Sequence, residues 1–265
     1  MEIDFCKMQA LGNDFMVIDG VRQNIALSPR LIKQWADRRL GVGFDQLLLL
    51  EQPTITSADF NYRIFNADGG EVEQCGNGAR CIARFAFEQR LSTKKHLKLQ
   101  TQQALINTEL IRLDTVKVSL GQPIIKAISQ TLNINGYDIE IGLLTIGNPH
   151  VIIQVKEVDA ASIESLGPKI ETHPVFTNNV NVSFMQIINR QQIKLRVWER
   201  GVGETPACGS AACAAVAMAQ QWLQLDSKVE VILPGGNLQV SHQAQQDIYL
   251  TGPAEQVYSG NIHVY

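Results

Sequence analysis

Residues 63–86 read RIFNADGGEVEQCGNGARCIARFA, and residues 196–219 read RVWERGVGETPACGSAACAAVAMA. Slid forward by 133 positions without a gap, the first stretch meets the second with seven identities in 24 positions, where composition alone gives about one or two. The identities are Arg63/Arg196, Gly70/Gly203, Glu71/Glu204, Cys75/Cys208, Gly76/Gly209, Ala79/Ala212 and Ala86/Ala219. A further echo, LGNDF at 11–15 and IGNPH at 146–150, lies at an offset of 135. Two homologous halves account for both.

Outward from the repeat, each half has the same order: strands, a helix opening at the Cys-Gly step, then strands again. In the first half, 14–19, 46–51, 60–65, 96–101 and 104–111 carry strand patterns. The segment 28–39 reads as a helix with Ser28 as N-cap and Pro29 at its first position. In the second half, 180–188, 193–198, 228–233 and 247–252 read as strands, with PGGN at 234–237 as a hairpin turn. The first turns of the two Cys helices are built from Ala, Gly and Ser, which lets other backbone approach closely. The pattern predicts an α/β (α+β) chain with much antiparallel pairing, and the first repeat ends near 114–121.

Composition narrows the partner. A chain of 265 residues, 45% apolar, builds a sizeable core. A formal charge of -3 and no Lys/Arg block leave no basic field for nucleic acid, and no stretch approaches the length of a membrane span. The opening MEIDFCKMQ has neither a basic nor an apolar leader region, so the chain reads as cytoplasmic with a small-molecule partner. Five cysteines, an odd number, argue against a disulfide framework in a reducing compartment.

The cysteines then divide. On a helix, Cys75 and Cys81 project roughly 120° apart, and Cys208 and Cys213 roughly 140°, so neither pair shares a metal. The His residues show no ligand pairing, and no metal is expected. Cys81 and Cys213 read as core thiols. Cys75 and Cys208 each stand at a helix N-terminus, where the dipole and free amides favour a thiolate. The same amides form an anion site, so a carboxylate could rest on Gly76 and Asn77 from one side and Gly209 and Ser210 from the other. If the halves face each other about a pseudo-twofold axis, two thiols meet at one carbon. Inversion of a stereocentre needs that: one thiolate removes the α-proton and the opposite thiol returns one. A thiol with an unperturbed pKa of about 8.5 needs only a modest shift for this. Paired amides would stabilise the charge developing on the carboxylate, and no pyridoxal phosphate or other cofactor is required.

At these residues the sequence resembles the diaminopimelate epimerase family. The motifs that carry the resemblance are LGNDF at 11–15, GFDQ at 43–46, FNADGGEVEQCGNGARC at 65–81, GNPH at 147–150, NNVNVSF at 178–184 and ERGVGETPACGSAAC at 199–213. The resemblance implies two pseudo-symmetric domains, each a mixed, largely antiparallel strand barrel wrapped around a central helix. One is expected at 1–116, joined by C-terminal strands at about 253–265, and the other at 117–252. It implies cofactor-independent interconversion of LL- and meso-diaminopimelate, in lysine and peptidoglycan precursor biosynthesis. Cys75 and Cys208 would be the acid/base pair, supported by His150 and Glu199. Gly76, Asn77, Gly209 and Ser210 would hold the reacting carboxylate, and Asn13, Gln46, Asn66, Asn148, Asn181, Glu199 and Arg200 the rest of the substrate. Tyr258 matches a tyrosine of the family's dimer contact, implying a homodimer.

Each assignment has a plainer alternative. Asn13 and Asn148 follow glycine and can be turn residues, Glu199 and Arg200 a solvated strand-end pair, and His150 a satisfied strand histidine. A proline or hydroxyproline racemase using two cysteines is the rival within the same chemistry. The chain departs from the family pattern at Gln9 and Ala10, where histidine and glycine are usual, and at Ser210 and Ala211, where Thr-Gly is common.

Overall fold

The computed structural model describes residues 2–72, 75–102 and 104–263; Glu73 and Gln74 of the opening stretch lie outside the described residues. The chain clusters into two compact units, Met1–Val118 with Gly252–Tyr265, and Ser119–Thr251. In chain order the elements begin β1 (Glu2–Ala10), β2 (Asn13–Asp19), α1 (Pro29–Ala36), β3 (Gln46–Glu51), β4 (Phe60–Asn66) and β5 (Glu71–Val72). They continue as α2 (Gly76–Glu88), β6 (His96–Gln100), β7 (Leu105–Arg112), β8 (Thr115–Ser119), β9 (Ile124–Ile134), β10 (Tyr137–Ile146) and β11 (Asn148–Gln154). Next come α3 (Ile163–Glu171), β12 (Asn181–Asn189), β13 (Gln192–Glu199), β14 (Gly203–Thr205) and α4 (Gly209–Gln221). The chain closes with β15 (Lys228–Leu233), β16 (Gly236–Ser241), β17 (Tyr249–Pro253) and β18 (Glu255–His263). The result is a mixed α/β, strand-rich fold with four helices among the described residues. None of those helices is long and apolar enough to cross a membrane.

In the first unit β1 turns back into β2 through Leu11 and Gly12, both at positive φ, the geometry of a tight hairpin turn. β2 runs parallel to β3, β3 antiparallel to β4, and β4 pairs with both β5 and β6. β18 returns to this unit and pairs antiparallel with β1. DFMVID and QLLLLE are near-continuous apolar runs because both of their faces are covered. Met16, Ile18, Leu47 and Leu49 pack with Ile32 and Trp35 of α1. The alternate residues face the other way, where α2 contacts β2, β3 and β4. Asn13, Gln46 and Asn66 belong to that second set. The register seats Phe15 beside Gln46 and Gln46 opposite Asn66, so all three amides end up on the α2 side, at the strand ends.

The second unit repeats this order of pairings. β10 pairs antiparallel with β11, β11 parallel with β12, β12 antiparallel with β13, and β13 pairs with both β14 and β15. Val151, Ile153, Val182 and Phe184 pack with Ile163 and Ile170 of α3. Alternation turns Asn148, His150, Asn181 and Glu199 to the opposite face, where α4 contacts β10 to β13. Trp198 points to the α3 face, where a Cβ on Gly167 would lie 2.6 Å from its ring. α2 and α4 are each 13 residues long, begin 133 residues apart and have Cys75 and Cys208 as N-caps.

Sequence and structure differ at two helices. α1 stops at Ala36 rather than 39, because Asp37 is extended and its Oδ1 accepts the amides of Arg39 and Leu40 at 2.7 and 2.8 Å. α3 was not signalled by pattern, since Gly167 and Pro168 interrupt it; the close Trp198 contact supplies a packing reason for the glycine.

Candidate active site

Cys75 is partly buried and closes the N-terminus of α2 with its side chain: Sγ accepts the Gly78 amide at 3.3 Å. Its Sγ also lies 4.0 Å from Asn13 Oδ1. Asn77, on the first turn of α2, donates to the same Oδ1 at 3.4 Å, while Asn13 Nδ2 donates to Asp45 Oδ2 at 3.1 Å. The Asn13 amide is thereby turned with its oxygen toward Cys75. Gln46 Nε2 donates to Asn66 Oδ1 at 3.0 Å on the same face. Gly76 opens the helix beside them, so the unit assembles Asn13, Gln46, Asn66, Cys75, Gly76 and Asn77 at one end of its sheet.

In the second unit Cys208 is 7% exposed and caps α4. Its Sγ sits 3.5 Å from Ser210 Oγ, with Gly209 between them as the first helical residue. Burial, and after it the Glu199 carboxylate, push the Cys208 thiol well above its ordinary range; the Ser210 hydroxyl and Ala211 amide pull the other way more weakly. The expected thiolate preference of a helix N-terminus is therefore outweighed here, and free Cys208 holds its proton. Glu199 is also fixed by a short hydrogen bond from Thr205 Oγ1.

His150 is wholly buried on β11, and Nε2 donates to Asn148 Oδ1 at 2.8 Å, with Nδ1 left as the bare acceptor. Desolvation, and then the Arg200 charge, hold its titration down at about 3, so the ring is neutral across the physiological range. Asn181 Nδ2 donates to the Pro149 carbonyl at 3.1 Å and its Oδ1 accepts the Arg200 amide at 3.1 Å. Arg200 itself is exposed. Asn148, His150, Asn181, Glu199, Arg200, Cys208, Gly209 and Ser210 are thus gathered within this unit. Tyr258 belongs to the first unit, on β18, 45% exposed, opposite Lys7 and edge-on to Phe5 with ring centroids 6.0 Å apart. Cys81 and Cys213 are fully buried, and burial pushes the Cys81 thiol up to about 12.

The two units repeat their ion pairs as well as their strands. Arg63 Nε meets Glu71 at 2.8 Å and Arg196 Nε meets Glu204 at 2.7 Å, both as two-pronged contacts that tie the strand before each Cys helix to its short partner.

Three supporting groups were not read from sequence. Tyr62 is buried beneath α2 and its hydroxyl donates to the Cys75 carbonyl at 3.3 Å; a Cβ on Gly78 would collide with the Tyr62 hydroxyl oxygen. Asp45 orients Asn13 and is itself held by Arg38, which also forks onto Asp14 at 2.9 and 2.7 Å, with Lys7 completing the cluster. Glu171 ends α3 and accepts from Trp198 and Gly201. Asp45 lies inside the quoted GFDQ stretch, a signal that was present; Tyr62 and Glu171 are set only by which strand face meets which helix.

A family model described as diaminopimelate epimerase matches residues 5–126 and 142–257. The chain is 45% identical over 276 residues to a diaminopimelate epimerase of Azotobacter vinelandii, with 100% of each chain covered. It is 45% identical over 278 residues to one of Pseudomonas paraeruginosa, again with 100% coverage of both. Among solved structures, a Bacillus anthracis phenazine biosynthesis protein of the PhzF family superposes with a TM-score of 0.75 at 17% identity, covering 100% of both chains. A hydroxyproline epimerase from Agrobacterium vitis gives 0.75 at 14% identity, covering 98% of this chain and 92% of that one. At such identities these two likenesses establish fold alone.

Proposed function

The chain belongs to the diaminopimelate epimerase family, and from that premise we propose that it interconverts LL- and meso-diaminopimelate in lysine biosynthesis with Cys75 and Cys208 as opposed acid and base. It is an isomerase. The observation that carries the assignment of the thiols is that each caps a 13-residue helix, 133 residues apart, beside a cluster of strand-end amides. In the working enzyme two pseudo-symmetric domains, each a strand barrel around its Cys helix, would present those helix ends to one substrate.

The reaction needs four things of these residues. A thiolate takes the α-hydrogen as a proton, forming S–H as C–H breaks, and the electron pair passes onto the adjacent carboxylate. Backbone amides at Gly76, Asn77, Gly209 and Ser210 stabilise that developing charge, which they meet preorganised. The opposite thiol then gives its proton to the other face. Cys208, kept protonated by burial and Glu199, stands ready in the donor state. When the direction reverses, Glu199 is positioned to accept from it.

Recognition of the remainder of the substrate follows from charge. Arg200 offers a planar fork to the distal carboxylate, and Glu199 with the Asn13, Gln46, Asn66, Asn148 and Asn181 oxygens suits the ammonium groups. Neutral His150 holds Asn148 in place at this site. The enzyme would work in the cytoplasm as a homodimer, with Tyr258 on β18 at the contact.

The test is a substrate and variant panel. The purified protein is expected to epimerise both diaminopimelate isomers and to leave L-proline and hydroxyproline unchanged. Cys75→Ser and Cys208→Ser should each lower kcat by about 10² to 10⁴, the usual worth of a positioned acid or base. A serine variant with wild-type turnover would remove that cysteine from the mechanism, and turnover of proline in preference to diaminopimelate would overturn the substrate.

A further inference from the structure

The turn that carries Arg200 is held from behind by a buried carboxylate. Between β13 and β14 the chain reverses through residues 199–202, with Val202 N–H donating to the Glu199 carbonyl at 3.0 Å and Gly201 at a φ of 74°. The three amides that follow Glu199 each have a partner. Arg200 N–H goes to Asn181 Oδ1 at 3.1 Å, and Gly201 N–H to Glu171 Oε1 at 2.8 Å. Glu171 is 7% exposed, and its other oxygen accepts Trp198 Nε1 at 2.7 Å. Asn179 Nδ2 adds a third contact at 3.3 Å. One carboxylate thus grips the residue two before Arg200 and the residue after it.

The repeat shows that the fold does not require this clamp. The corresponding turn of the first unit also closes, with Gly69 N–H donating to the Asn66 carbonyl at 2.8 Å, but α1 ends at Ala36 and carries no carboxylate. There the residue matching Gly201 is Asp68, whose Oδ1 accepts the Gly70 amide at 2.8 Å within the turn itself. Of the two helices, α3 alone brings a buried carboxylate, Glu171, to the turn that bears the Glu199–Arg200 pair. Burying a carboxylate is costly, and three donors are what make it tolerable. Such a group fixes a backbone more rigidly than the local turn does.

We propose that Glu171 is a positioning residue for the Arg200 turn and sets selectivity for a substrate with a distal carboxylate. Glu171 touches no substrate; it acts through Gly201 and Trp198, which frame Arg200. The inference rests on the reading that Arg200 receives the distal carboxylate.

L-Lysine, which is diaminopimelate without that carboxylate, supplies the discriminating probe. Rates of α-hydrogen exchange in deuterated water are compared for diaminopimelate and lysine in the wild type, Glu171→Gln and Arg200→Met. Glu171→Gln keeps the shape but turns an amide toward donors, and it is expected to raise KM for diaminopimelate about tenfold, roughly the factor of one charge-assisted hydrogen bond. Its kcat should change less than about threefold, and the slow exchange of lysine should stay at the wild-type rate. Trp198→Phe, which deletes a single donor, should show the same KM signature at smaller size and serves if Glu171→Gln does not fold. An equal fall in kcat/KM for both substrates, or no change for either, overturns the proposal while Arg200→Met still loses its preference for diaminopimelate. If Arg200→Met keeps that preference, the distal-carboxylate reading itself is wrong and the role of Glu171 goes with it.

Discussion

Acidification is expected to weaken the second unit through His150, and the size of the effect follows from its setting. The ring is wholly buried, and desolvation together with the Arg200 charge holds its titration at about 3. In the unfolded chain it titrates at about 6.5. Below that value the unfolded state takes up a proton that the folded state refuses, so stability present above about pH 6.5 is lost as pH falls, continuing toward the folded value near 3. Each unit of pH costs about 1.4 kcal/mol, so at about pH 5 the loss is about 2 kcal/mol. His242, also buried and shifted down by desolvation, adds to the total. His150→Phe isolates the one group: the repeat places the buried Phe15 at the matching position of the first unit, and the change removes the titration. Urea unfolding followed by tryptophan fluorescence at about pH 7.5 and about pH 5 reads the difference. The wild type should lose about 2 kcal/mol more than the variant across that interval. Equal losses would refute the assignment of acid sensitivity to His150.

Other outcomes follow from contacts around the two cysteines. Gly78→Ala drives a methyl against the Tyr62 hydroxyl and should destabilise by about 1 to 3 kcal/mol, with Tyr62→Phe in the same chain relieving part of it; additive losses in a double-mutant cycle would contradict the contact. Iodoacetamide should modify partly buried Cys75 before Cys208 in the native protein, and Glu199→Gln should speed Cys208 by removing a carboxylate that favours the thiol. Peptide mass spectrometry showing Cys208 unaffected by that change would count against the Glu199 effect. Asp45→Ala frees the Asn13 amide to rotate and should lower kcat/KM by about three- to tenfold, less than Asn13→Ala does; an unchanged value would show that Asn13 needs no such support.

The sequence carried the layout of the site more fully than its energetics. The 133-residue repeat marked both Cys-Gly steps, and α2 and α4 begin at Gly76 and Gly209. QLLLLE is β3 residue for residue, because a run of that length with apolar side chains on both faces suits a covered strand. The α3 helix was invisible because Gly167 and Pro168 are poor helix residues, and only the Trp198 ring, brought in from β13, gives the glycine a purpose. The same limit hid Tyr62 and Glu171, whose roles depend on strand parity and helix placement together. For Cys208, the helix end suggested a thiolate; burial and Glu199 reversed that, and neither is readable from local spacing.

The central claim is that two different groups serve the two faces of one α-carbon, and the isotope content of both pools at early conversion tests it most directly. LL-diaminopimelate is incubated with the wild-type enzyme in deuterated water and both epimers are analysed before the reverse reaction contributes. Two opposed thiols predict deuterium at the inverted carbon of the meso product and none in the remaining LL substrate. Deuterium appearing equally in recovered LL substrate and meso product from the outset would mean that one group works both faces, and would contradict the account.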